Sequence, residues 1–264
     1  MADGTAIEWT DATWNPIRGC SRMSAGCSNC YAERVAARFS GPGQPYEGLA
    51  RMTPKGAAWT GKVAFVPHVL DQPSRWKRPR RIFVNSMSDL FHEAIEREWL
   101  VAILEAMRRA PQHRFQVLTK RPDTMADILT ASPELVEGLG HVWWGTSVEN
   151  QDVAADRLES LVHVPSSNRW VSAEPLIGPL RIGEWMPFVG WVVAGGESGY
   201  GSRAMRPEWA RDLRDECAAA GVPFLFKQWG EHGPEMVRIG KKVAGRELDG
   251  RLWDGYPVGM VFRG

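Results

Sequence analysis

The sequence contains few cysteines, almost no net charge and no long apolar run. Its 264 residues include four cysteines and carry a formal net charge of +1. A nearly neutral chain has no overall field that recruits nucleic acid, although a local basic patch can still bind it. No apolar run approaches the roughly 20 residues of a membrane-spanning helix, and Met1-Ala2-Asp3-Gly4-Thr5 lacks the basic and apolar regions of a signal peptide. We therefore expect a cytoplasmic protein with reduced thiols and no membrane partner.

The signatures of several enzyme classes are missing as well. The sequence has no phosphate-binding loop and no H-E-x-x-H metalloprotease signature. The glycine-rich segment Gly195-Gly196-Glu197-Ser198-Gly199 does not have the G-x-G-x-x-G order of a dinucleotide site. A disulfide scaffold is not expected either, since a chain of this length buries a core without such staples.

What the sequence does contain is a dense cysteine loop near its start. Cys20, Cys27 and Cys30 are spaced C-x6-C-x2-C, ahead of a helix-like run from Tyr31 to Phe39. Clustered thiolates favour a soft metal, for which iron–sulfur and zinc are the natural candidates. Structural zinc closes with four ligands, whereas three cysteines leave one iron of a 4Fe–4S cluster open to another ligand. The residues thus leave two interpretations: a 4Fe–4S cluster, or a zinc site whose fourth ligand comes from elsewhere.

The fourth cysteine is expected in the core. Cys217 lies on the apolar face of a predicted helix, Pro207 to Ala220, which has proline in its first turn and ends before Gly221. Free cysteine packs as a small hydrophobic side chain. We therefore predict a buried thiol that takes no part in metal binding.

Short apolar runs recur from residue 81 onward, and each ends in small or polar residues. These runs are Ile82-Phe83-Val84, Phe115-Gln116-Val117-Leu118, Val142-Trp143-Trp144, Trp170-Val171, Trp191-Val192-Val193-Ala194 and Phe224-Leu225-Phe226. Helical patterns lie between several of them, for example Arg97 to Ala110, where apolar residues recur at i, i+3, i+4 and i+7. Buried strands that alternate with helices indicate a parallel sheet.

The repeat length predicts an α/β fold with a parallel (β/α) barrel, partial or complete. A weak strand from Thr13 to Arg18 brings the count to about six or seven β/α units. We assign residues 1–240 to the barrel, with 41–62 as a long surface excursion and 241–264 as a small C-terminal cap. The active sites of such barrels lie on the loops after the strands.

Residues of types that contact ligands follow the predicted strands. The candidates for cofactor binding are Asn85, Ser86, Ser88, Lys120, Ser147, Glu149, Glu174 and Gly195. A ligand held on an open iron through an amine and a carboxylate needs oxygen acceptors for the amine and a cation for the carboxylate. An attached adenosine needs hydroxyl or carboxylate partners for its ribose. The same residue types are also common in turns and helix caps, which is the simpler interpretation.

Several segments together carry a resemblance to a known group of proteins. They are Trp9-Thr10-Asp11-Ala12-Thr13-Trp14-Asn15-Pro16, the cysteine loop, Asn85-Ser86-Met87-Ser88-Asp89-Leu90-Phe91, Leu118-Thr119-Lys120-Arg121-Pro122, Ser172-Ala173-Glu174-Pro175-Leu176 and Leu248-Asp249-Gly250-Arg251. The chain resembles a three-Cys-motif family of phages and bacteria that has no assigned function. More distantly, the cysteine loop on a (β/α) barrel resembles the radical S-adenosylmethionine superfamily.

The resemblance implies a 4Fe–4S cluster on Cys20, Cys27 and Cys30, with S-adenosylmethionine as second cofactor. It also implies an external electron donor, and reductive cleavage of S-adenosylmethionine to a 5′-deoxyadenosyl radical that takes hydrogen from a substrate. Two departures stand out. The superfamily spacing is usually C-x3-C-x2-C, and its Gly-Gly-Glu follows the second strand, where this sequence has Asn85-Ser86-Met87-Ser88.

By position, the resemblance places the cofactor on particular residues. Asn85, Ser86 and Ser88 would contact the amine, and Lys120 the carboxylate. Ser147 and Glu149 would lie near the ribose. Glu174 is a further candidate contact, and the glycines from Gly195 would lie beside the adenine or the substrate.

The substrate is predicted from weaker features. The basic run Arg75 to Arg81, the excursion 41–62, and Trp76 and Trp229 near predicted strand ends favour a nucleic acid or nucleotide derivative over a small molecule. One alternative is a zinc-binding nucleic-acid-binding protein with Arg75–Arg81 and Lys241-Lys242 on phosphate. Another is an iron–sulfur protein without radical chemistry that serves a partner protein.

Overall fold

The protein is described here by a computed structural model that covers residues 4–262. Residues 1–3, part of the N-terminal segment considered above, and residues 263–264 of the predicted cap lie outside the described residues. The strands are β1 (Ala12–Trp14), β2 (Ile17–Arg18), β3 (Ala50–Thr53), β4 (Gly56–Trp59), β5 (Ala64–Phe65), β6 (Arg81–Val84), β7 (Arg114–Thr119), β8 (Val142–Ser147), β9 (Arg169–Ala173), β10 (Trp191–Gly195), β11 (Phe224–Gln228), β12 (Glu247–Leu248) and β13 (Arg251–Leu252). The helices are α1 (Tyr31–Arg38), α2 (Gln72–Arg75), α3 (Arg97–Arg108), α4 (Pro122–Ala131), α5 (Ala154–Val162), α6 (Pro207–Ala220) and α7 (Lys241–Ala244).

A seven-stranded parallel sheet forms the centre of the fold. Its strands lie in the order β1-β6-β7-β8-β9-β10-β11, and every neighbouring pair is parallel. Chain segments containing α3, α4, α5 and α6 connect successive strands from β6 onward. Within the described residues β1 and β11 do not pair, so the sheet is a partial parallel β/α barrel. The predicted fold class is thereby confirmed in its partial form.

The two faces of the sheet bury two separate apolar clusters. The larger one lies between the sheet and the helices and includes the predicted face of α3, Leu100, Ile103, Leu104 and Met107. Cys217 of α6 is fully buried in the same cluster, and burial raises the pKa of its thiol to about 12. The predicted core role of this cysteine is confirmed.

The second cluster fills the inner face and is dominated by tryptophan. It contains Trp9, Phe83, Trp143, Trp170, Trp191, Val193, Leu225 and Met260. These residues alternate along their strands with members of the outer cluster, because successive side chains of a strand point to opposite faces. The aromatic rings fill the lower part of the barrel, and four of the chain's 13 tryptophans belong to this cluster.

Several local predictions differ from the structure. The predicted strand Thr13–Arg18 is two strands, since β1 joins the main sheet while β2 pairs antiparallel with β5. The excursion 41–62 is not featureless, because it contains the antiparallel hairpin of β3 and β4, which packs on α1. The tail contains α7 and the hairpin of β12 and β13.

The basic run Arg75 to Arg81 lies away from the strand ends where we placed the substrate. It precedes β6, so it lies at the amino end of that strand. Two of its members are already engaged: Arg81 makes a bidentate ion pair with Asp11, and the Arg80 guanidinium lies 5.0 Å above the Trp76 ring. The expectation that Trp76 lies near a strand tip is therefore wrong.

Helix length and polarity bear on the membrane question. Among the helices of residues 4–262, none has the length and apolarity needed to cross a membrane.

Candidate functional site

A cavity of about 430 Å³ lies at the carboxyl ends of the strands. This volume falls within the range of roughly 300–1,000 Å³ that is typical of ligand pockets. The predicted site residues that line it are Cys20, Cys27, Cys30, Asn85, Ser86, Ser88, Lys120, Ser147 and Glu174. One cavity thus brings together the cysteine loop and the ends of four strands.

The lining of the cavity is apolar at its base and polar near the carboxyl ends of the strands. Trp9 lines its lower wall, where the Trp9 ring packs on Phe83 with centroids 4.7 Å apart. Along the inner face of β9, Trp170 lies lowest, Ser172 comes next and Glu174 follows at the strand end. A ligand in this cavity meets apolar rings below and charged groups above.

The three cysteines of the loop are half-buried in the cavity wall. Burial raises the pKa of the Cys20 thiol to about 12, and burial also raises the pKa of Cys30. Repulsion between neighbouring thiolates adds to both shifts, since Cys30 acts on Cys20 and Cys27 acts on Cys30. A bound cation would reverse this repulsion, because metal coordination deprotonates thiols.

The cysteine sulfurs make only local contacts with backbone groups. Cys20 Sγ lies 3.4 Å from the Ser21 carbonyl, the Met23 amide lies 3.5 Å from Cys27 Sγ, and backbone amides of Ala32 and Glu33 face Cys30. Within residues 4–262 no three His, Cys, Asp or Glu side chains already form a metal-binding group. The donor set, three soft thiols facing one cavity, fits a soft metal or an iron–sulfur cluster.

Four acidic side chains hold the loop in place, each with an arginine. The first is Asp89, which accepts hydrogen bonds from Thr119 Oγ1 at 2.6 Å and from Arg121 Nη1 at 3.1 Å. Arg121 in turn donates to Ser21 Oγ at 2.6 Å. The Asp89–Arg121 pair is almost fully buried, so Ser21, which follows Cys20, is fixed to the ends of β6 and β7.

The second tether is Glu149, which is fully buried. Its carboxylate accepts hydrogen bonds from Arg157 Nη1 at 2.7 Å and from the Gly26 amide at 3.1 Å. A Cβ at Gly26 would lie 2.9 Å from the Glu149 carboxyl carbon, so the close approach requires glycine. Burial acts to raise the pKa of Glu149, but the charges of Lys120 and Arg157 and these hydrogen bonds lower it overall.

The third tether is Glu197, which follows β10. It accepts hydrogen bonds from Asn29 Nδ2 at 3.0 Å and, in bidentate fashion, from Arg203 at 2.5 and 2.9 Å. Arg203 also donates to the Ala25 carbonyl at 2.9 Å. Burial opposes ionisation of Glu197, yet the hydrogen bonds from Arg203 and Asn29 bring its pKa below the ordinary value.

The fourth tether joins the loop to the hairpin of β3 and β4. Glu33 of α1 is 2% exposed and pairs with Arg22 at 2.6 Å. The other oxygen of this carboxylate accepts a hydrogen bond from the Trp59 amide at 3.2 Å. Trp59 also lines the cavity, so the hairpin forms part of its wall.

The Asn85–Ser88 segment is held in a specific conformation. Asn85 adopts a left-handed backbone with φ of 60°, and its Oδ1 accepts the Ile17 amide at 3.2 Å. Ser86 Oγ donates to Asn15 Oδ1, and Ser88 Oγ donates to the Ile17 carbonyl. The hydroxyl oxygens still have lone pairs with which to accept from an amine.

Lys120 and Ser147 lie beside each other on neighbouring strands. Lys120 directly follows β7, and its backbone amide donates to Asp89 Oδ2 at 3.1 Å. Ser147 ends β8, and its carbonyl accepts from Arg157 at 2.7 Å. Both residues line the cavity, which leaves the Lys120 ammonium and the Ser147 hydroxyl available to a ligand.

Glu149 and Gly195 are the two predicted site residues that do not line the cavity. Glu149 instead faces the backbone of the cysteine loop. Gly195 lies between two charged neighbours, because Glu174 and Lys227 form an ion pair across it. A Cβ at Gly195 would lie 3.4 Å from Lys227 Cβ and 3.6 Å from the Glu174 carboxyl carbon.

Lys227 and the loop tethers were not predicted from the sequence. Lys227 follows the apolar run Phe224-Leu225-Phe226, and nothing in one sequence pairs it with Glu174. Asn29, Glu197 and Arg203 come together over more than 160 residues of chain. The usable signal was local: an acidic residue directly after a buried strand, as at Glu197.

Sequence comparison places the chain in a family. The profile of DUF5131, described as a protein of unknown function, matches residues 4–257. The chain belongs to the DUF5131 family. No curated protein and no solved structure matches it. Membership in DUF5131 therefore covers almost the whole chain, including every residue of the cavity wall, but it assigns no activity.

Proposed function

We propose that this DUF5131 protein is an iron–sulfur enzyme of the radical S-adenosylmethionine type. Cys20, Cys27 and Cys30 would hold a 4Fe–4S cluster, and S-adenosylmethionine would bind in the adjoining cavity. The observation that carries the proposal is that the three thiols line one cavity with polar groups from four strand ends. Such a cluster, held by these three cysteines, would supply the electron for reductive cleavage of S-adenosylmethionine.

The chain's own residues bind and orient the cofactor in this proposal. The Lys120 ammonium would pair with the carboxylate, since a charged donor gives the strongest hydrogen bond to that group. Oxygens of Asn85, Ser86 and Ser88 would accept hydrogen bonds from the amine. Ser147 would bind the ribose. Glu149 would not contact the ribose; it would position the cysteine loop, and its negative charge would act on Lys120.

The tethers would keep the three thiols in register while the cluster is bound. Asp89, Glu149 and Glu197 each come from a different strand end and each contact the loop directly or through an arginine. Fixing a site within a fraction of an ångström requires such a supporting shell. The aromatic floor below would exclude water from the reacting centre. The proposal also requires reduced thiols to hold the cluster and a cytoplasmic electron donor to reduce it.

The zinc alternative fits the site less well. Its fourth ligand would have to come from a cavity residue, and Asp89, Glu174 and Glu197 are already paired with Arg121, Lys227 and Arg203. A carboxylate in such a pair gives up a favourable interaction when it moves to a metal. In the nucleic-acid version of this alternative, the basic run lies at the other end of the sheet, and of the two lysines Lys241 lines the cavity.

The direct test is turnover of S-adenosylmethionine by the reconstituted protein without oxygen. With dithionite as reductant, we expect 5′-deoxyadenosine and methionine to form, as measured by liquid chromatography with mass detection. Lys120→Ala should weaken S-adenosylmethionine binding by about tenfold or more, since it removes a charged hydrogen bond. Lys242→Ala, in exposed α7, serves as the matched control. No cleavage by a protein with a full iron complement would contradict the proposal.

A further inference from the structure

One ion pair in the cavity wall differs from the loop tethers. Asp89, Glu149 and Glu197 all act on the cysteine loop, as described above. Glu174 pairs with Lys227, and among the described residues no hydrogen bond joins this pair to the loop. Both side chains line the cavity and stay partly open, at 20% and 12% exposure. The pair is therefore not needed to hold the cysteines and faces the space where a ligand would lie.

Gly195 lies on the strand between the two charged residues. Glu174 follows β9 and Lys227 lies in β11, with β10 between them. Gly195 leaves open space beside the pair, since even a Cβ there would only reach van der Waals contact with the two side chains. The result is an acceptor and a donor side by side on one wall, with no net charge.

The surroundings of the pair are apolar below, where Trp9 and Phe83 line the cavity. On β9, Ser172 separates Glu174 from Trp170 of the floor. The Trp9 ring lies over this floor, 5.2 Å from the Trp170 ring and 6.2 Å from the Trp191 ring. An aromatic floor favours a planar group, and a neutral donor–acceptor wall favours a group with a complementary polar edge.

We propose that Glu174 and Lys227 read the edge of a planar heterocycle of the nucleobase type. The ammonium of Lys227 would donate to a ring carbonyl or ring nitrogen, and the Glu174 carboxylate would accept from the neighbouring N–H. The idea deepens the proposed function, because it assigns the substrate class to the same cavity. A phosphate is a poor fit to this wall, since the Glu174 carboxylate would repel it.

Binding of nucleosides to the full-length protein tests the proposal. Calorimetric titration with uridine and guanosine should show binding, and 3-methyluridine and 1-methylguanosine should bind about tenfold or more weakly, because each lacks the ring N–H. Glu174→Gln and Lys227→Met should each weaken the binding of uridine and guanosine by a similar factor, because each substitution removes a charged hydrogen bond. Titration with a single-stranded hexanucleotide in the same series shows whether the protein binds the ring of a free nucleoside or that of a base within a strand.

Matched variants and two further readouts control the experiment. Glu208→Gln and Arg97→Met remove charges of the same sign from exposed helix positions and should leave nucleoside affinity unchanged. Iron content of Glu174→Gln and Lys227→Met, and S-adenosylmethionine affinity of Lys227→Met, should match the wild type. If the wild type lacks iron but binds nucleosides as stated, the proposed function fails and the nucleobase site stands.

Three outcomes would overturn the inference. The first is that neither a nucleoside nor the hexanucleotide binds at millimolar concentration. The second is that N-methylation, or both substitutions, leave the affinity unchanged. The third is that a free amino acid binds the pair in place of nucleosides.

Discussion

The amide nitrogen of Gly26 donates a hydrogen bond to Oε1 of Glu149 at 3.1 Å, across 123 residues of chain. This contact fixes the middle of the cysteine loop to the end of β8. Because the other carboxylate oxygen binds Arg157, one side chain links the loop to the scaffold through a buried ion pair. The site thus depends on buried charges as much as on the cysteines.

Loss of Glu149 should destabilise the fold strongly. Glu149→Ala leaves Arg157, 7% exposed, as an unpaired buried charge, which typically costs about 3–5 kcal/mol. Chemical denaturation followed by circular dichroism measures the free energy of unfolding. Glu134→Ala is the control, since it breaks the exposed pair with Arg97 and should cost about 1 kcal/mol or less. Equal losses in the two variants would contradict the tether.

Two neighbouring glycines should respond oppositely to alanine. A Cβ at Gly196 would lie 1.9 Å from the Trp229 carbonyl oxygen, so Gly196→Ala must move backbone and should cost about 1–3 kcal/mol or more. At Gly195 the nearest atom would be 3.4 Å away, and we expect a change below about 1 kcal/mol for Gly195→Ala. Thermal unfolding of both variants checks the difference, and similar melting temperatures would rule out this packing.

Arg203 should matter more for cluster retention than for folding. Arg203→Lys keeps the charge but loses the planar fork that binds Glu197 twice and reaches Ala25. We expect a faster loss of iron in air, with a free energy of unfolding within about 2 kcal/mol of wild type. Arg206→Lys, at an exposed position, is the control. The tether would be refuted by identical rates of iron loss in Arg203→Lys and wild type.

Stability should fall as the pH drops below about 6.5. His113 is fully buried, with Nδ1 accepting from the Arg80 amide and Nε2 facing the Pro73 carbonyl. Burial and the nearby positive charges lower the pKa of His113 below its ordinary value of 6.5. The unfolded chain therefore takes up a proton that the folded chain rejects, and this contribution, present above pH 6.5, is lost on acidification toward the folded pKa.

The size of the effect is bounded by the titration of one group. Each such histidine can contribute up to about 1.4 kcal/mol per pH unit in that window. His113→Gln should flatten the dependence of the unfolding free energy between pH 7 and pH 5. A slope as steep as that of the wild type would show that His113 does not titrate there.

The main sheet could be predicted because parallel strands are buried on both faces. Such strands appear as continuous apolar runs, so Trp191–Ala194 and Phe224–Phe226 were recognisable without a partner. The polar residues after each run then had to meet at one edge of the sheet. The hairpin of β3 and β4 was missed because its strands are short and half-exposed, which leaves no periodic signal.

The contacts that complete the site could not be predicted. Pairing Glu174 with Lys227, or Asn29 with Glu197, requires the strand order and register, which one sequence does not specify. The position of the basic run could be predicted, since Arg75–Arg81 leads into β6 and the amino end of a parallel strand lies opposite the cavity.

Iron content with visible absorbance is the most direct test of the central claim. The wild type, purified without oxygen, should hold about four irons per chain and show the broad absorbance of a 4Fe–4S cluster. Cys20→Ala, Cys27→Ala and Cys30→Ala should each abolish both signals, while Cys217→Ala should keep them, because Cys217 is buried between sheet and helix. A colourless wild type that holds one zinc, or an equal loss of iron in Cys217→Ala, would contradict the account.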